Sequence, residues 1–101
     1  DVKPHPVFRR DGNDVVSELK VSMADAVLGR DIEVETVDGS VKIRIRPGTQ
    51  SNTMIRLKDK GVPFLNRHGR GDHYARIIVE IPERLTLRQR ELLEEFREEG
   101  L

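Results

Sequence analysis

The stretch that decides the fold of this chain is residues 46–82, RPGTQSNTMIRLKDKGVPFLNRHGRGDHYARIIVEIP. Its prolines and glycines fall between two runs in which apolar and polar side chains alternate, a pattern typical of strands separated by turns. The alternation predicts a short strand at 54–58 and the longest strand at 74–81, with Ile81 among its inward side chains. Residues 60–71 hold three glycines and a proline, which indicates a surface loop between the strands. The stretch has no catalytic constellation, so function has to be inferred from surfaces.

Upstream of this stretch, the strongest local signal is a β-hairpin. Apolar and charged residues alternate on both sides of Asp38-Gly39, and this dipeptide strongly favours a two-residue hairpin turn. Such a turn fixes the register and brings opposite charges together across the ladder. The predicted pairs are Glu35 with Lys42 and Glu33 with Arg44.

Two helices are predicted from their capping residues. Ser22 resembles an N-cap for a helix of about two turns, which Gly29 would end. Thr86 and Gln89 form a capping box for a second helix that runs to about residue 99. The first helix is too short to be stable alone, so it must pack on a sheet.

Further strands are predicted at 7–9 and 15–21, on either side of a turn cluster. The fold class that follows is all-β: a small two-sheet β-sandwich with one short inserted helix and a C-terminal helix. Residues 1–82 are assigned to the sandwich and residues 83–101 to the helix. A chain of 101 residues has room for one such core.

Composition excludes several classes of function. Lys+Arg and Asp+Glu are 18 each, so the net charge is zero, which argues against a nucleic-acid binder. Cysteine is absent, so neither a disulfide framework nor a thiolate zinc site is expected. No apolar run approaches the ~20 residues of a membrane span, and the N-terminus has no signal-peptide core. We therefore expect a cytoplasmic protein without membrane contact, and the abrupt start suggests a piece of a longer one.

Individual polar residues do not assemble into a predicted active site. His68 and His73 are interpreted as solvated loop histidines, because no set of three or four ligands accompanies them. Arg70-Gly71-Asp72 is interpreted as a turn leading into the longest strand. No nucleophile stands beside a His–acid pair. We expect no enzymatic activity, no metal site and no cofactor.

Two surfaces remain as candidates for binding. The first is the locally basic loop region 56–76, which could bind an acidic peptide as an adaptor domain does. Its basic residues are Arg56, Lys58, Lys60, Arg67, Arg70 and Arg76. The second is the apolar stripe of the C-terminal helix, formed by Leu92, Leu93 and Phe96 with Leu85 near the entry. Such a stripe is either core or a contact with a second copy, and the pattern leaves both open.

The order of these motifs resembles the second C-terminal β-domain of the DnaJ-family co-chaperones. The resemblance rests on the Ser-capped helix ending in Leu28-Gly29, the Asp-Gly hairpin, Pro-Gly-Thr-Gln, Lys-Gly-Val-Pro, Gly-Asp-x-Tyr and the Leu-rich terminal helix. It covers about residues 6–96. It implies a non-enzymatic module that binds unfolded or extended polypeptides and presents them to a DnaK-type ATPase chaperone. His5-Pro6-Val7 is not the His-Pro-Asp motif of the family's J-domain, and the Cys-x-x-Cys pairs of the family's zinc domain are missing, so neither domain is expected in this segment.

The same resemblance implies roles for particular residues. The terminal helix of the family forms a homodimer, which assigns dimerisation to Leu85, Leu92, Leu93 and Phe96. The family's client groove lies in the preceding β-domain. Its equivalent here would lie beside the second strand and the first hairpin strand, near Ser17, Leu19, Val34 and Thr36. Because Ser and Thr make this groove less apolar, weak or auxiliary client binding is expected.

Overall fold

The computed structural model describes residues 8–100 of the chain. It contains six strands and two helices within this range, and it confirms the all-β fold with one inserted and one C-terminal helix. The strands are β1 (Phe8–Asp11), β2 (Asp14–Ser22), β3 (Arg30–Thr36), β4 (Gly39–Ile45), β5 (Met54–Leu57) and β6 (His73–Glu80). The helices are α1 (Met23–Leu28) and α2 (Leu87–Glu98). Val7, predicted to open the first strand, lies outside the described residues.

The strands form a four-stranded sheet in the order β1-β2-β6-β5 and a two-stranded sheet of β3 and β4. The central strands β2 and β6 are parallel, whereas all other pairs are antiparallel. The β1–β2 pairing runs only from Phe8 opposite Ser17 to Asp11 opposite Asp14. Within residues 8–100, the part of β2 after Ser17 therefore has β6 on one side and no strand on the other.

The core lies between the two sheets and is closed at one end by α1. Its buried centre consists of Val21 from β2, Ala26 from α1, Ile45 from β4 and Ile77 from β6. Half-buried aliphatic side chains from both sheets surround it: Leu19, Ile32, Ile43, Ile55 and Val79. The period-two alternation in the sequence thus directs one face of each strand into the sandwich.

The hairpin forms, but its predicted register is wrong. Glu33 lies opposite Lys42, and Glu35 lies opposite Ser40, instead of opposite Lys42. The pairing is displaced by two residues. A two-residue shift returns every side chain to its own face, so Val34 still points into the core.

The displacement follows from where Gly39 is used. The two central turn residues are Val37 and Asp38, and neither has a positive φ. Gly39, at φ 98°, follows the turn instead of occupying it, as in a type I turn followed by a bulge. Thr36 reinforces this arrangement: its Oγ1 donates to the Gly39 carbonyl (2.6 Å) and accepts from the Asp38 N–H (3.2 Å).

Both helices have the predicted caps. Ser22 Oγ accepts from the Asp25 N–H (3.1 Å), and Gly29 ends α1 at φ 83°. In α2, Thr86 Oγ1 accepts from the Gln89 N–H (3.1 Å), while Gln89 Oε1 accepts from the Thr86 N–H (2.9 Å). This reciprocal capping box satisfies two backbone donors that would otherwise lack partners.

Candidate functional site

Helix α2 stands apart from the sandwich core. None of its residues is buried. Leu92 and Phe96 are 46% and 47% exposed, Leu85 is 36% exposed, and only Leu93 is half-buried. The stripe predicted from the sequence is therefore not part of this chain's core, and the structure leaves it open to a partner.

A shallow cleft of about 270 Å³ accompanies the stripe. Leu85 and Leu93 form its apolar floor, and Arg90, Glu94 and Arg97 line the rest. The segment that enters α2 thus lies against the helix near Leu93, which explains why this leucine is less exposed than Leu92. Charges of both signs around an apolar floor suit a self-complementary contact between two copies.

Two further apolar residues at this end are exposed. Ile81, predicted to face inward at the end of the longest strand, is 71% exposed because β6 ends one residue earlier at Glu80. That prediction is wrong. Leu87, the first residue of α2, is 75% exposed and lies on the side of the helix away from Leu92. The linker and the helix together therefore present more apolar surface than the stripe alone.

The four predicted groove residues lie on the inner faces of β2 and β3. Ser17, Val34 and Thr36 retain 3%, 3% and 7% of their accessible surface, and only Leu19 is half-buried. Because β2 and β3 belong to different sheets, Ser17 and Leu19 face the interior from one sheet, and Val34 and Thr36 face it from the other. Leu19, on the part of β2 that β1 does not cover, is the one with surface left for a ligand.

Ser17 has a partner that sequence reasoning missed. Its Oγ lies 2.7 Å from Nε2 of His73, which is completely buried. The interpretation of His73 as a solvated loop residue is wrong, because it is the first residue of β6 and points inward. The sequence did contain a signal for this burial: His73 precedes Ala75 and Ile77 at two-residue spacing, so all three lie on the same face of β6. His68, by contrast, is exposed.

The Ser17–His73 pair resembles part of a nucleophile–base arrangement, but the groups around it are those of a packed interior. His73 Nδ1 has no hydrogen-bond partner among the described residues, so no carboxylate orients the ring. Phe8 packs edge-on against the ring with centroids 5.4 Å apart. Burial lowers the pKa of His73 and favours the neutral imidazole. Both side chains are buried, so the pair forms part of the packed interior.

Three of the six basic residues of the loop region, Arg56, Arg67 and Arg70, make side-chain contacts within the chain. Arg56 Nε donates to Asp72 Oδ2 (2.7 Å), and the Asp59 N–H donates to Asp72 Oδ1 (2.9 Å). The Asp59 N–H and the Arg56 guanidinium lower the pKa of Asp72 despite partial desolvation. Arg67 stacks over the Phe64 ring at 4.1 Å from its centroid. These contacts leave fewer free cations for an acidic peptide than the sequence indicates.

Arg70 and the glycines beside it hold this loop against the rest of the fold. Arg70 Nε donates to the Gly61 carbonyl (3.0 Å), and its guanidinium lies 3.9 Å from Asp38 in the hairpin turn. A Cβ added to Gly71 would overlap the backbone of Asn13. The Arg70-Gly71-Asp72 tripeptide is thus committed to internal contacts.

Neither a metal site nor a membrane span is evident in the part of the chain that the structure describes. Residues 8–100 contain no group of three or more His, Asp or Glu side chains placed to hold a metal ion. Within the same residues, neither helix has the length and apolarity needed to cross a bilayer. Among the described residues, the candidate binding surfaces are the exposed stripe of α2, the part of β2 that pairs with no strand on its outer side, and loop region 56–76.

The comparisons with known proteins all find members of one family. Residues 1–82 match the family model of the DnaJ C terminal domain. The chain is 48% identical over 99 residues to the chaperone protein DnaJ of Clostridioides difficile (strain 630), covering 98% of this chain and 26% of that protein. It is 50% identical over 97 residues to the chaperone protein DnaJ of Acetivibrio thermocellus, covering 96% and 25%. The chain thus spans about a quarter of these relatives, and the matches extend past residue 82 into α2.

Proposed function

Because this chain belongs to the DnaJ C-terminal domain family, we propose that it is the client-binding and homodimerising module of a cytoplasmic DnaJ-type co-chaperone. Its ligands would be unfolded or extended polypeptides. The full-length protein would present them to a DnaK-type ATPase chaperone. The module itself would act by binding, without catalysis and without a cofactor.

The observation that carries the proposal is the exposed apolar stripe on a fully capped helix. Burying Leu92, Leu93 and Phe96 would contribute ~1.5–3 kcal/mol for each side chain. The loss of translational and rotational freedom on association costs an estimated 4–15 kcal/mol, which opposes this gain. Because two copies bury six such side chains, the gross gain of roughly 9–18 kcal/mol is of the same order as this cost. A homodimer resting on α2 and the Leu85 cleft is therefore expected to be weak and to dissociate on dilution.

Sedimentation equilibrium tests the dimer directly. The wild-type chain should be largely dimeric at about 100 μM, which requires a dissociation constant on the order of 10 μM or lower, a binding free energy of roughly −7 kcal/mol. Leu92→Glu and Phe96→Ala should give folded monomers, because neither residue belongs to the sandwich core. Glu98→Ala is the matched control on the opposite face of α2 and should leave the mass unchanged.

Two results would contradict this assignment. A wild-type chain that stays monomeric at that concentration would rule out the proposed homodimer. Unfolding of either variant, measured by circular dichroism, would mean that the stripe stabilises the sandwich instead of a second copy.

Client binding is proposed at the part of β2 that β1 leaves uncovered. An extended peptide can add to an open strand by main-chain hydrogen bonds, while its alternate side chains find apolar contacts. Leu19 is half-buried there and offers such a contact, with Val34 and Thr36 deeper between the sheets. Since the groove is small, we expect a dissociation constant on the order of 10 μM or weaker.

NMR titration with an extended apolar peptide tests the client site. Amide signals of residues 18–22 should shift, whereas those of Glu33 and Lys42 on the outer face of the hairpin should not. Salt should have little effect on apolar binding. Affinity confined to acidic peptides and lost at moderate ionic strength would favour the adaptor function of loop region 56–76 instead.

A further inference from the structure

His73 is a buried polar side chain with one unsatisfied nitrogen. It has no accessible surface, its Nε2 lies 2.7 Å from Ser17 Oγ, and its Nδ1 has no partner within residues 8–100. A neutral imidazole tolerates this, because a single N–H can donate to Ser17 while the other nitrogen keeps its lone pair. A second proton would turn Nδ1 into a charged donor without an acceptor, which is strongly unfavourable in the interior.

Within residues 8–100, no carboxylate contacts His73 Nδ1 to compensate that charge. The strands beside His73 are β1, β2 and β5, and the hairpin covers the core opposite them. Three carboxylates near these strands have partners of their own: Asp14 accepts from the Asp72 N–H, Asp72 pairs with Arg56, and Asp38 pairs with Arg70. Burial is the cause that lowers the pKa of His73, with no charged neighbour adding to it. The charged and titratable groups on or next to these elements are Arg9, Arg10, Asp11, Asp14, Glu18, Lys20, Arg30, Asp31, Glu33, Glu35, Asp38, Lys42, Arg44, Arg56, Lys58, Arg70, Asp72, Tyr74, Arg76 and Glu80.

A protonated His73 must therefore reach water, and β1 offers the easiest route. Phe8, which packs edge-on against the imidazole, is 37% exposed and belongs to a four-residue edge strand. Every residue of β1 is exposed. The other edge strand, β5, is better anchored, because Leu57 is buried and Arg56 is paired with Asp72.

We propose that His73 is an acid-sensitive latch for β1: when the imidazole is protonated, β1 detaches from β2 while the rest of the sandwich stays folded. The detached state gives the imidazolium access to water and extends the open edge of β2 from Ser17 back to Asp14. This inference concerns the fold alone and does not depend on whether β2 binds clients.

The pH window follows from the direction of the shift. In the detached state, His73 has its ordinary pKa of about 6.5. His73 has a lower pKa when β1 is attached. The attachment of β1 is therefore fully stable above about pH 6.5 and weakens as the pH falls below it. Between the two pKa values, the opening equilibrium should increase by about tenfold for each pH unit.

Native-state hydrogen exchange, corrected for intrinsic rates and followed by NMR between about pH 7.5 and pH 5, tests the latch. Protection of the β1 amides and of their partners in β2 should fall by about tenfold per pH unit below the onset. Protection in the centre of β6, at Ile77, should persist. His73→Gln retains a donor for Ser17 and should abolish the pH dependence, whereas His68→Gln, at the exposed histidine, should not.

Phe8→Ala supplies a second measurement that does not require His73 to be replaced. Removing the ring should admit water and raise the pKa of His73 toward its ordinary value, as read from the imidazole carbon shifts. Three results would overturn the proposal: joint loss of protection in β1 and β6, unchanged acid opening in a folded His73→Gln variant, or no change in the His73 titration in Phe8→Ala.

Discussion

Replacing Gly71 with alanine is expected to destabilise the domain strongly, although Gly71 does not have a positive φ. The reason is close approach: an added Cβ would overlap the backbone of Asn13 and lie 2.8 Å from Asp14 Oδ1. Since a backbone cannot rotate away as a side chain does, the two segments would have to separate. The loop before β6 would then lose its attachment to the turn between β1 and β2.

The size of the effect follows from the hydrogen bonds at this junction. Gly71 N–H donates to the Val62 carbonyl (3.0 Å), Val62 N–H to the Asn13 carbonyl (2.8 Å), and Asp72 N–H to Asp14 Oδ1 (2.7 Å). At about 1 kcal/mol net for each bond, their loss lowers the free energy of unfolding by about 3 kcal/mol. For a domain of this size, the melting temperature should fall by about 12–24 °C.

Gly12→Ala is the matched control. Gly12 has a φ of 63°, but a Cβ there would meet nothing within 4 Å. Its replacement should therefore cost only the left-handed backbone penalty of about 1–2 kcal/mol. Urea denaturation followed by circular dichroism compares the two variants. If Gly71→Ala loses no more stability than Gly12→Ala, the close approach at Asn13 does not hold the loop, and the reasoning fails.

Three further predictions concern other parts of the chain. Thr86→Ala removes half of the capping box and should destabilise α2 by about 1 kcal/mol, seen as faster amide exchange in the helix with an unchanged unfolding midpoint of the sandwich. Ile77→Ala empties a fully buried position and should cost about 2–5 kcal/mol; the half-buried Ile78→Ala should cost clearly less in the same urea experiment, and equal losses would contradict the assigned faces. The lowered pKa of Asp72 means that its contribution to stability is present above its ordinary value of about 3.9 and is lost as the pH falls through the depressed pKa. When the unfolding midpoint is measured against pH, Asp72→Asn should reduce the loss of stability at acid pH. An unchanged loss would mean that other carboxylates cause it.

Local patterns predicted most of the elements. The alternation of apolar and polar residues predicted the ends of β5 and β6 to within one or two residues. The caps at Ser22 and Thr86 predicted where both helices begin. These features depend on neighbours a few residues apart, so one sequence contains the information. The sequence pattern left open whether the α2 stripe is buried in the core, and its exposure could be seen only from how the described strands pack.

Non-local features escaped prediction for identifiable reasons. A glycine after Asp38 serves equally inside a two-residue turn or directly after one, and this ambiguity moved the hairpin register by two residues. The parallel pairing of β2 with β6 has no local signal at all. Alternation does place Ser17 and Thr36 on one face of their strands. It does not say that the opposite sheet will bury that face, which is why the predicted groove is largely interior.

The parallel pairing of the two central strands also sets the order in which the chain can fold. Ser17 and His73 are 56 residues apart, whereas Thr36 and Gly39 in the hairpin are 3 apart. Closing the longer loop costs roughly 2–3 kcal/mol more chain entropy than closing the shorter one. The hairpin can therefore form early, but β2 must wait for β6. During synthesis, a nascent chain would carry β2 with one edge unpaired until β6, the last strand, has left the ribosome.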